Sequence, residues 1–435
     1  MEFSLGMTMA QKVLARHSGE AAVVPGQLVT TEVDLVVMAD SVFYKADDRL
    51  PTDLKKVSHP ERVAVLFDHQ VPAPSVKSAL AHKRAREHAD RLGFRWLADV
   101  GRGGIEHQVI IERKLALPGQ LVACNDSHTS SAGVLNSAAR GLGMADIVQL
   151  VCTGKTYYKV SPAVKFRLTG ELPFGSYAKD IFLHIAQRFG SQEGHDIEFE
   201  GPGLASLSLD SRATLSTMCT ELNANFVMFP ADQLIMDYVS TVTDRPFEPV
   251  TADPDAEYDA VYDIDLGDVR TAVALPDALN KNVVPVGTAA GEKIRIDQAF
   301  VGSCANGKLA DLEIAAAVVK DRKIADHVRF LVTPASQAVY LEAVKRGYVQ
   351  TLIEAGAIVT NSTCGACSGG HMGVLGPGEV CITSSTRNYK GRMGSPDARI
   401  YMGSSATVAA SAVEGFIADP APYLQDAERQ IGAQA

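Results

Sequence analysis

Three cysteines in the second half of the chain have the spacing of a metal-cluster site. Cys304 stands alone in Phe300-Val-Gly-Ser-Cys-Ala-Asn306, whereas Cys364 and Cys367 form a C-x-x-C pair. Together they supply three thiolates, which can bind three irons of a cubane iron–sulfur cluster. The fourth iron would then stay open to substrate, as a catalytic metal requires. The same pair also suits a zinc site or a redox dithiol, so those alternatives stay open at this point.

The residues around these cysteines predict stabilised thiolates. Cys304 follows the apolar run 299–301 and precedes a helical pattern over 308–320, which predicts a strand-to-helix turn. Helix N-terminal N–H groups stabilise a thiolate, so we predict a lowered thiol pKa for Cys304. Glycines around Cys364 and Cys367 predict the same effect there, because they let backbone amides approach the sulfurs.

Two arginines follow the C-x-x-C pair at a spacing that suits an acidic substrate. Arg387 and Arg392 lie in Arg387-Asn-Tyr-Lys-Gly-Arg392. A planar guanidinium group matches a carboxylate, and two such groups suit a di- or tricarboxylate. Arginines at protein surfaces are commoner than arginines that bind ligands, but nearness to Cys367 favours the binding role.

Histidines with acidic neighbours occur at the ends of predicted strands and turns: Asp68-His69, His107 in a glycine-rich turn, and Asp126-Ser-His128. A histidine that is oriented by a carboxylate serves as a general acid or as a hydrogen-bond donor to an oxyanion. One such pair is usually structural. Three of them at strand ends are better explained by a shared cleft.

Strand–loop–helix units recur along the chain and predict an α/β fold with mainly parallel sheets. One unit is the buried strand 62–67 with a helix from Ser75 to Leu92, and another is the strand Leu121–Cys124 with a helix over 133–144. The acidic, proline-dotted segment 237–268 predicts a surface segment that leads to a domain boundary. In such folds, functional sites lie at the carboxyl ends of strands.

Length, charge and cysteine content exclude several classes of protein. A chain of 435 residues predicts about two to three domains. A net charge of −10 with no basic face argues against nucleic acid as the main partner. Seven cysteines in this length favour reduced thiols in a cytoplasmic protein over a secreted disulfide framework. The absence of any run of about 18 apolar residues predicts no membrane partner.

Four ordered motifs resemble the signatures of the aconitase superfamily: Asp126-Ser-His-Thr129, Phe300–Asn306, Cys364–Met372 and Arg387–Met393. The resemblance extends from about Met7 to Ala418 and is to the group of large subunits of 3-isopropylmalate dehydratase, homoaconitase and 2,3-dimethylmalate dehydratase. It implies a three-domain α/β/α large subunit around a [4Fe–4S] cluster, with domains over 1–161, 162–266 and 267–435. The family's swivelling fourth domain, absent here, would be a separate small subunit.

The resemblance also implies roles for individual residues. Cys304, Cys364 and Cys367 would be the cluster ligands, and Arg387 and Arg392 would bind substrate carboxylates. Three carboxylates would each orient a histidine: Asp68 with His69, Asp126 with His107, and Glu221 with His128. Of these histidines, His69 would assist departure of the substrate hydroxyl.

The chain departs from the family pattern at a few positions near the implied cluster. Ala305 replaces a threonine, Thr217 and Thr386 replace asparagines, and Ala39 with Asp40 replaces an early His-Asp pair. Both threonines keep a hydroxyl but lose the amide donors that hold cluster sulfurs or bound oxygen. The changes leave the cluster implied and weaken the assignment of the family's commonest substrate.

The implied activity is that of an iron–sulfur hydro-lyase, which dehydrates and rehydrates a hydroxy-dicarboxylate. The first expectation is conversion of 2-isopropylmalate to 3-isopropylmalate through an alkene diacid; the alternatives are a 2,3-dimethylmalate or citraconate-type dehydratase and homoaconitase. The catalytic base in the family is a serine of the small subunit, so this chain alone should be nearly inactive. A cluster-dependent RNA-binding sensor is the alternative of another class, and the acidic charge disfavours it.

Overall fold

The computed structural model describes residues 6–44, 54–241 and 245–425. Residues 6–160 contain a parallel sheet of five strands and a separate pair of strands. The elements are α1 (Met9–Ser18), β1 (Leu28–Glu32), β2 (Leu35–Ala39), β3 (Val63–Leu66), α2 (Val76–Leu92), β4 (Trp96–Ala98), α3 (Glu106–Glu112), β5 (Leu121–Cys124), β6 (Ala138–Gly141), α4 (Met144–Thr153) and β7 (Lys155–Lys159). The sheet order is β4-β3-β2-β5-β6, and β1 pairs antiparallel with β7. Strands β2, β3 and β5 are entirely buried, as continuous apolar runs in a parallel sheet predict.

A second sheet has four parallel strands in the order β10-β9-β8-β11. Its region contains β8 (Ala163–Thr169), α5 (Ala178–Phe189), β9 (Asp196–Glu200), α6 (Leu209–Met218), β10 (Val227–Met228), α7 (Gln233–Ser240) and β11 (Ala260–Asp265). Strand β11 lies inside the predicted surface segment 237–268 as a partly exposed edge strand, so the last part of that segment is at the surface but has regular structure. The reason is that Ile264 and Leu266, spaced two apart, reach the core between acidic residues.

The third sheet has seven strands in the order β13-β12-β18-β17-β14-β15-β16. Its region contains β12 (Ala272–Ala274), β13 (Val283–Pro285), α8 (Val286–Gly291), β14 (Gln298–Val301), α9 (Ser303–Asn306), α10 (Leu309–Val319), β15 (Arg329–Val332), α11 (Gln337–Lys345), α12 (Tyr348–Ala355), β16 (Ile358–Val359), β17 (Val380–Thr383), β18 (Arg399–Met402) and α13 (Ser405–Glu414). The five strands from β18 to β16 are parallel, and only β12 and β13 run against their neighbours.

Several predicted elements are confirmed and one is wrong. The helix predicted from Ser75 begins at Val76, with the Ser75 side chain accepting a hydrogen bond from the Ser78 backbone. The helix predicted over 133–144 does not form. A 3-10 turn ends instead at Asn136, which has a positive φ of 62°, and the chain continues as β6 beside β5. Gly133 serves close packing, because a Cβ there would lie 1.7 Å from the Val227 carbonyl oxygen.

The three larger sheets draw their strands from residues 35–141, 163–265 and 272–402. The domain boundaries at 161/162 and 266/267 stay predictions, because sheet membership alone does not define independently folding units. Within the described part of the chain, no helix has both the length and the apolar character needed to cross a bilayer.

Candidate active site

The carboxyl ends of the five-stranded and seven-stranded sheets meet at one cleft. The backbone N–H of Cys364, after β16, donates to the carbonyl of Asp68, after β3, at 2.9 Å. The hydroxyl of Thr363 donates to the same carbonyl at 2.6 Å. A third link joins the Ile105 N–H to the Ala335 carbonyl at 2.8 Å. These bonds hold the residues at the strand ends of both sheets against each other.

The cysteines predicted as ligands lie together in this cleft. Each of the three thiols interacts electrostatically with the other two. Cys304 and Cys367 are buried and Cys364 is partly exposed. Arg392 Nη2 donates to Cys367 Sγ at 3.4 Å, and the hydroxyl of Thr386 lies 3.8 Å from the same sulfur. The structure therefore brings together thiols that are up to 63 residues apart in sequence.

The thiol pKa values differ from the sequence prediction. Burial raises the pKa of Cys304, so the predicted lowering by helix N–H groups is wrong; the helix there, α9, has only four residues. Burial, aided by the charge of Asp68, also raises the pKa of Cys364 well above its usual range. Only for Cys367 is burial outweighed, because the charge and hydrogen bond of Arg392 lower its pKa to about 7.

The backbone around the thiols is closely packed and adopts uncommon conformations. Gly365 has a φ of 62°, and a Cβ on it would lie 2.7 Å from the Thr333 hydroxyl. Ser303, next to Cys304, has a φ of 71°, which is uncommon for a residue other than glycine. Buried polar atoms without a hydrogen-bond partner among the described residues cluster in sequence near the thiols: Asn306 Oδ1, Ser385 Oγ and Arg392 Nε. Three convergent soft ligands with spare polar groups fit a thiolate-bound iron–sulfur cluster.

Two lysines lie buried behind this thiol site. Lys308 Nζ donates to the Cys304 carbonyl at 3.1 Å and to the Thr214 hydroxyl at 3.2 Å. Lys179 Nζ donates to the Ser385 carbonyl at 3.0 Å, and burial lowers its pKa to about 7. Neither lysine was predicted from the sequence: the Ser385 partner of Lys179 lies 206 residues away, and nothing in the local pattern shows that Lys308 is buried. Their cationic groups suit the negative charge that three thiolates would bring.

The three predicted carboxylate–histidine pairs are adjacent in the structure. His69 Nδ1 lies 2.5 Å from Asp68 Oδ1, His107 Nε2 lies 2.8 Å from Asp126 Oδ1, and His128 Nε2 lies 2.8 Å from Glu221 Oε1. Asp126 also links the histidines, since its Oδ2 lies 3.6 Å from His69 Nε2 and its Oδ1 accepts from the His128 backbone N–H at 2.8 Å. The pairs thus form one network.

Hydrogen bonds and charges in this network favour the ionised form of Asp126 and the protonated forms of His69 and His128. Burial acts to raise the pKa of Asp126, but hydrogen bonds from His107, His128 and His69 lower it well below its usual range. For His69, burial acts to lower the pKa, and the Asp68 charge raises it well above its usual range. The pKa of His128 is raised in the same way, because the hydrogen bonds and charges of Asp126 and Glu221 outweigh its burial. A histidine held protonated can donate a proton or a hydrogen bond.

The two predicted arginines extend from the segment after β17 to the same cleft. Arg387 Nε donates to Glu221 Oε1 at 2.7 Å and its Nη2 to Ser127 Oγ at 2.8 Å. An open cavity of about 490 Å³ begins beside Ser127, and Ser130, Thr220 and Arg140 also line it. Glu193 also lines this cavity, whereas Arg387, the three thiols and the three histidines do not.

The departures from the family pattern have different surroundings. Thr386 lies against the Cys367 sulfur, so its hydroxyl stays near the thiol site. Thr217 instead donates to the Ala213 carbonyl at 2.7 Å within α6. The Ala39 N–H donates to Asn125 Oδ1 at 2.7 Å. Of the two threonines, Thr386 therefore keeps its hydroxyl near a sulfur, whereas the Thr217 hydroxyl bonds within its own helix.

Two buried acids of the site have no role predicted from the sequence, although Asp40 belongs to one of the departures from the family pattern. Glu106, the first residue of α3, has both carboxylate oxygens buried without a hydrogen-bond partner among the described residues. Burial together with the charges of Asp68 and Asp126 raises its pKa well above the usual range. Asp40 lies behind His69. The available signals were the Glu106-His107 and Ala39-Asp40 sequences, which do not reveal burial.

Known proteins are similar to this chain over nearly its whole length. The profile of the Aconitase family (aconitate hydratase) matches residues 11–415. The chain belongs to this family. It is 48% identical over 415 residues to the 3-isopropylmalate dehydratase large subunit of Mycolicibacterium smegmatis, covering 95% of this chain and 97% of that one. It is 41% identical over 423 residues to 3-isopropylmalate dehydratase large subunit 1 of Methanopyrus kandleri, covering 97% and 100%.

One solved structure is also similar, the holo-form of aconitase X from Thermococcus kodakaraensis. Its TM-score is 0.48 at 13% identity, covering 88% of this chain and 90% of that one, a likeness too low to inform the site. The family match and the curated relatives confirm the predicted family and the α/β aconitase-like fold. The roles assigned to single residues stay predictions.

Proposed function

We propose that this chain is the large subunit of 3-isopropylmalate dehydratase, an iron–sulfur hydro-lyase of leucine biosynthesis. The supporting observation is the identity of 48% to a curated large subunit of that enzyme over 95% of this chain. The cleft agrees with it, since thiols, carboxylate–histidine pairs and arginines converge there. The relatives do not favour the RNA-binding alternative, and dimethylmalate, citraconate and homoaconitate substrates serve as comparison compounds in the test.

Cys304, Cys364 and Cys367 would hold a [4Fe–4S] cluster. When bound, the cluster supplies a Lewis-acidic iron at the substrate hydroxyl and carboxylate. Around it, Arg392 keeps the negative charge of Cys367 favourable, and Lys308 holds the carbonyl of Cys304 from behind. A zinc or redox dithiol site at the C-x-x-C pair would give Cys304 no role in the cleft.

His69 is the proposed acid for the departing hydroxyl. Its Nδ1 is held by Asp68 at 2.5 Å, so Nε2 is the nitrogen free to give a proton toward the cleft. Asp126 Oδ2 lies 3.6 Å from that nitrogen and favours its protonated form. His107 and His128, oriented by Asp126 and Glu221, hold the Asp126 carboxylate beside His69.

Arg387 is the proposed ligand for the substrate carboxylate. Its Nε and Nη2 are fixed by Glu221 and Ser127, which set the orientation of the guanidinium plane before substrate binds. A charge held in place lowers the ordering cost when the dicarboxylate arrives. As the substrate loses its carbon-bound proton, the same charge steadies the carboxylate that gains electron density.

The base that removes the carbon-bound proton would come from a separate small subunit. The curated relatives are large subunits by name, which implies such a partner. We propose that the small subunit covers the cleft and supplies a serine as this base. The large subunit alone would then bind substrate but turn it over very slowly.

The test is activity of the reconstituted pair. The chain is prepared anaerobically with iron and sulfide, mixed with the small subunit from its own source, and assayed with 2-isopropylmalate. We expect interconversion of 2- and 3-isopropylmalate, with a higher kcat/KM than for homocitrate, 2,3-dimethylmalate or citraconate. The highest kcat/KM on another of these compounds would overturn the substrate assignment, and inactivity on all four would overturn the hydro-lyase assignment. Full activity without the small subunit would overturn the division of labour.

A further inference from the structure

Asp40 occupies a junction between two strands that support the site. It follows β2 directly and is fully buried. Ala39 pairs with Leu66 in the parallel register of β2 and β3, so Asp40 lies beside the turn that follows β3. Its Oδ1 accepts from the His69 backbone N–H and its Oδ2 from the Gln70 backbone N–H, each at 3.3 Å. The carboxylate therefore ties the end of one strand to the turn after the next.

Further donors hold Asp40 from behind. His82 Nε2, on α2, lies 3.2 Å from Asp40 Oδ2, and the Tyr44 hydroxyl donates to the same oxygen. The ring of His82 is stacked on Phe67, with centroids 4.6 Å apart. A buried carboxylate with this many donors is fixed in place and keeps its charge.

The same carboxylate also reaches the ring of His69. Asp40 Oδ1 lies 3.6 Å from His69 Nδ1, and Asp68 Oδ1 lies 2.5 Å from that nitrogen. The two acids differ in what supports them. Asp68 is on the same turn as His69, and its Oδ2 accepts from the Glu106 backbone N–H at 3.1 Å, whereas Asp40 directly follows the neighbouring strand and is held by His82 and Tyr44.

We propose that Asp40 is a positioning residue for the reaction, which, with His82 and Tyr44 behind it, fixes the turn that carries His69. This inference rests on the proposed function for the role of His69. Asp68 selects the orientation of the ring, and Asp40 fixes the backbone from which the ring extends. Asp40 does not touch substrate.

The first test is the kinetics of the Asp40→Asn enzyme with its small subunit. We expect kcat to fall by about 10- to 100-fold, as for loss of a group that supports a catalytic ligand, with KM changed less than about twofold. His82→Phe, which keeps the ring on Phe67, should lower kcat by a smaller factor. Asp263→Asn, at an exposed position in the second sheet, is the matched control and should leave both constants unchanged.

A kcat within about twofold of the unaltered enzyme would overturn the proposal. So would a rise in KM as large as the fall in kcat, because that result indicates general damage to the site.

The second test needs no substrate. Amide hydrogen exchange of the full chain should be roughly tenfold faster for His69 and Gln70 in Asp40→Ala, because both amides lose their acceptor. Exchange in α5 should not change. Unchanged exchange at His69 and Gln70, or faster exchange in both places, would overturn the anchoring role. An inactive unaltered complex would overturn the proposed function instead, and the exchange result would still decide the role of Asp40.

Discussion

The two sheet edges that form the cleft present different kinds of ionisable side chain. The edge of the five-stranded sheet presents acids and histidines: Asp40, Asp68, Glu106, Asp126, His69, His107 and His128. The edge of the seven-stranded sheet presents thiols and cations: Cys304, Cys364, Cys367, Lys308, Arg387 and Arg392. The first edge is built to hold protons, and the second is built to hold negative charge.

The C-x-x-C pair shows what this difference does to identical groups. Cys364 lies against Asp68 of the first edge, and burial with that charge raises its thiol pKa. Cys367, three residues on, lies against Arg392, which overcomes burial and lowers its thiol pKa to about 7. The group beside each sulfur, an acid for Cys364 and a cation for Cys367, and not the spacing of the cysteines, therefore sets the charge of each thiol.

The largest expected effect comes from removing one thiol of the second edge. In Cys304→Ser, the reconstituted chain should lose its broad visible absorption and its activity should fall to background, because two thiolates do not retain the cluster. Cys152→Ser, at an exposed cysteine, is the control and should keep both. A coloured, active Cys304→Ser enzyme would remove Cys304 from the ligand set.

A smaller effect is expected from the proton-holding edge. His69→Asn should lower kcat by about 100- to 10,000-fold, the usual contribution of a general acid, while KM changes little. His195 also lies beside an acid, 3.1 Å from Asp259, but it is in the region of the second sheet. His195→Asn should therefore keep its kcat. Equal losses in both variants would show that position in the cleft is not what matters.

Replacement of Arg387, on the second edge, should affect substrate binding more than turnover. Arg387→Lys keeps the charge but loses the two-point guanidinium contact, so we expect KM for the dicarboxylate to rise by roughly 10- to 100-fold. Arg167→Lys, at an exposed ion pair with Glu200, should leave KM unchanged. The initial rates over a range of substrate concentration separate the two constants. A lower kcat at constant KM would contradict the binding role.

Sequence motifs predicted the cleft well, because each motif is short and its chemistry is local. The thiols and the Asp68–His69 pair follow from residue types, and the Asp126–His107 and Glu221–His128 pairings follow from the family resemblance alone. The residues that support these groups could not be predicted in this way. Lys179 contacts Ser385, which is 206 residues away, and Asp40 contacts the backbone of His69 and Gln70. Such contacts depend on tertiary packing, which no local pattern encodes.

The fold was predictable to a similar extent. Apolar runs located β3 and β5, and the Ser75 cap located the start of α2. The small residues over 133–144 were interpreted as a helix, but they serve close packing of a turn against β10 and a strand beside β5. Small side chains permit a helix and close packing alike, so their pattern alone could not separate the two.

The smallest expected effect concerns Asp196, a buried acid outside both edges that is not paired with a histidine in the described part of the chain. Burial raises the pKa of Asp196 to about 8, in contrast to Asp126 in the cleft. Between its unfolded value of 3.8 and about 8, the folded chain holds a proton that the unfolded chain has released. The free energy of unfolding should therefore fall as pH rises through this window, and Asp196→Asn should flatten that fall. Thermal unfolding midpoints at several pH values measure it; parallel pH curves would contradict it.

In the proposed enzyme, three thiolates of this chain hold a cluster with one iron left open. Mössbauer spectroscopy of the anaerobically reconstituted chain, before and after addition of 2-isopropylmalate, tests it most directly. Three cysteine-bound irons and one open iron predict that about a quarter of the iron signal changes when substrate is added. A signal that shows no iron–sulfur cluster, or a cluster whose irons all stay unchanged with saturating substrate, would contradict the account.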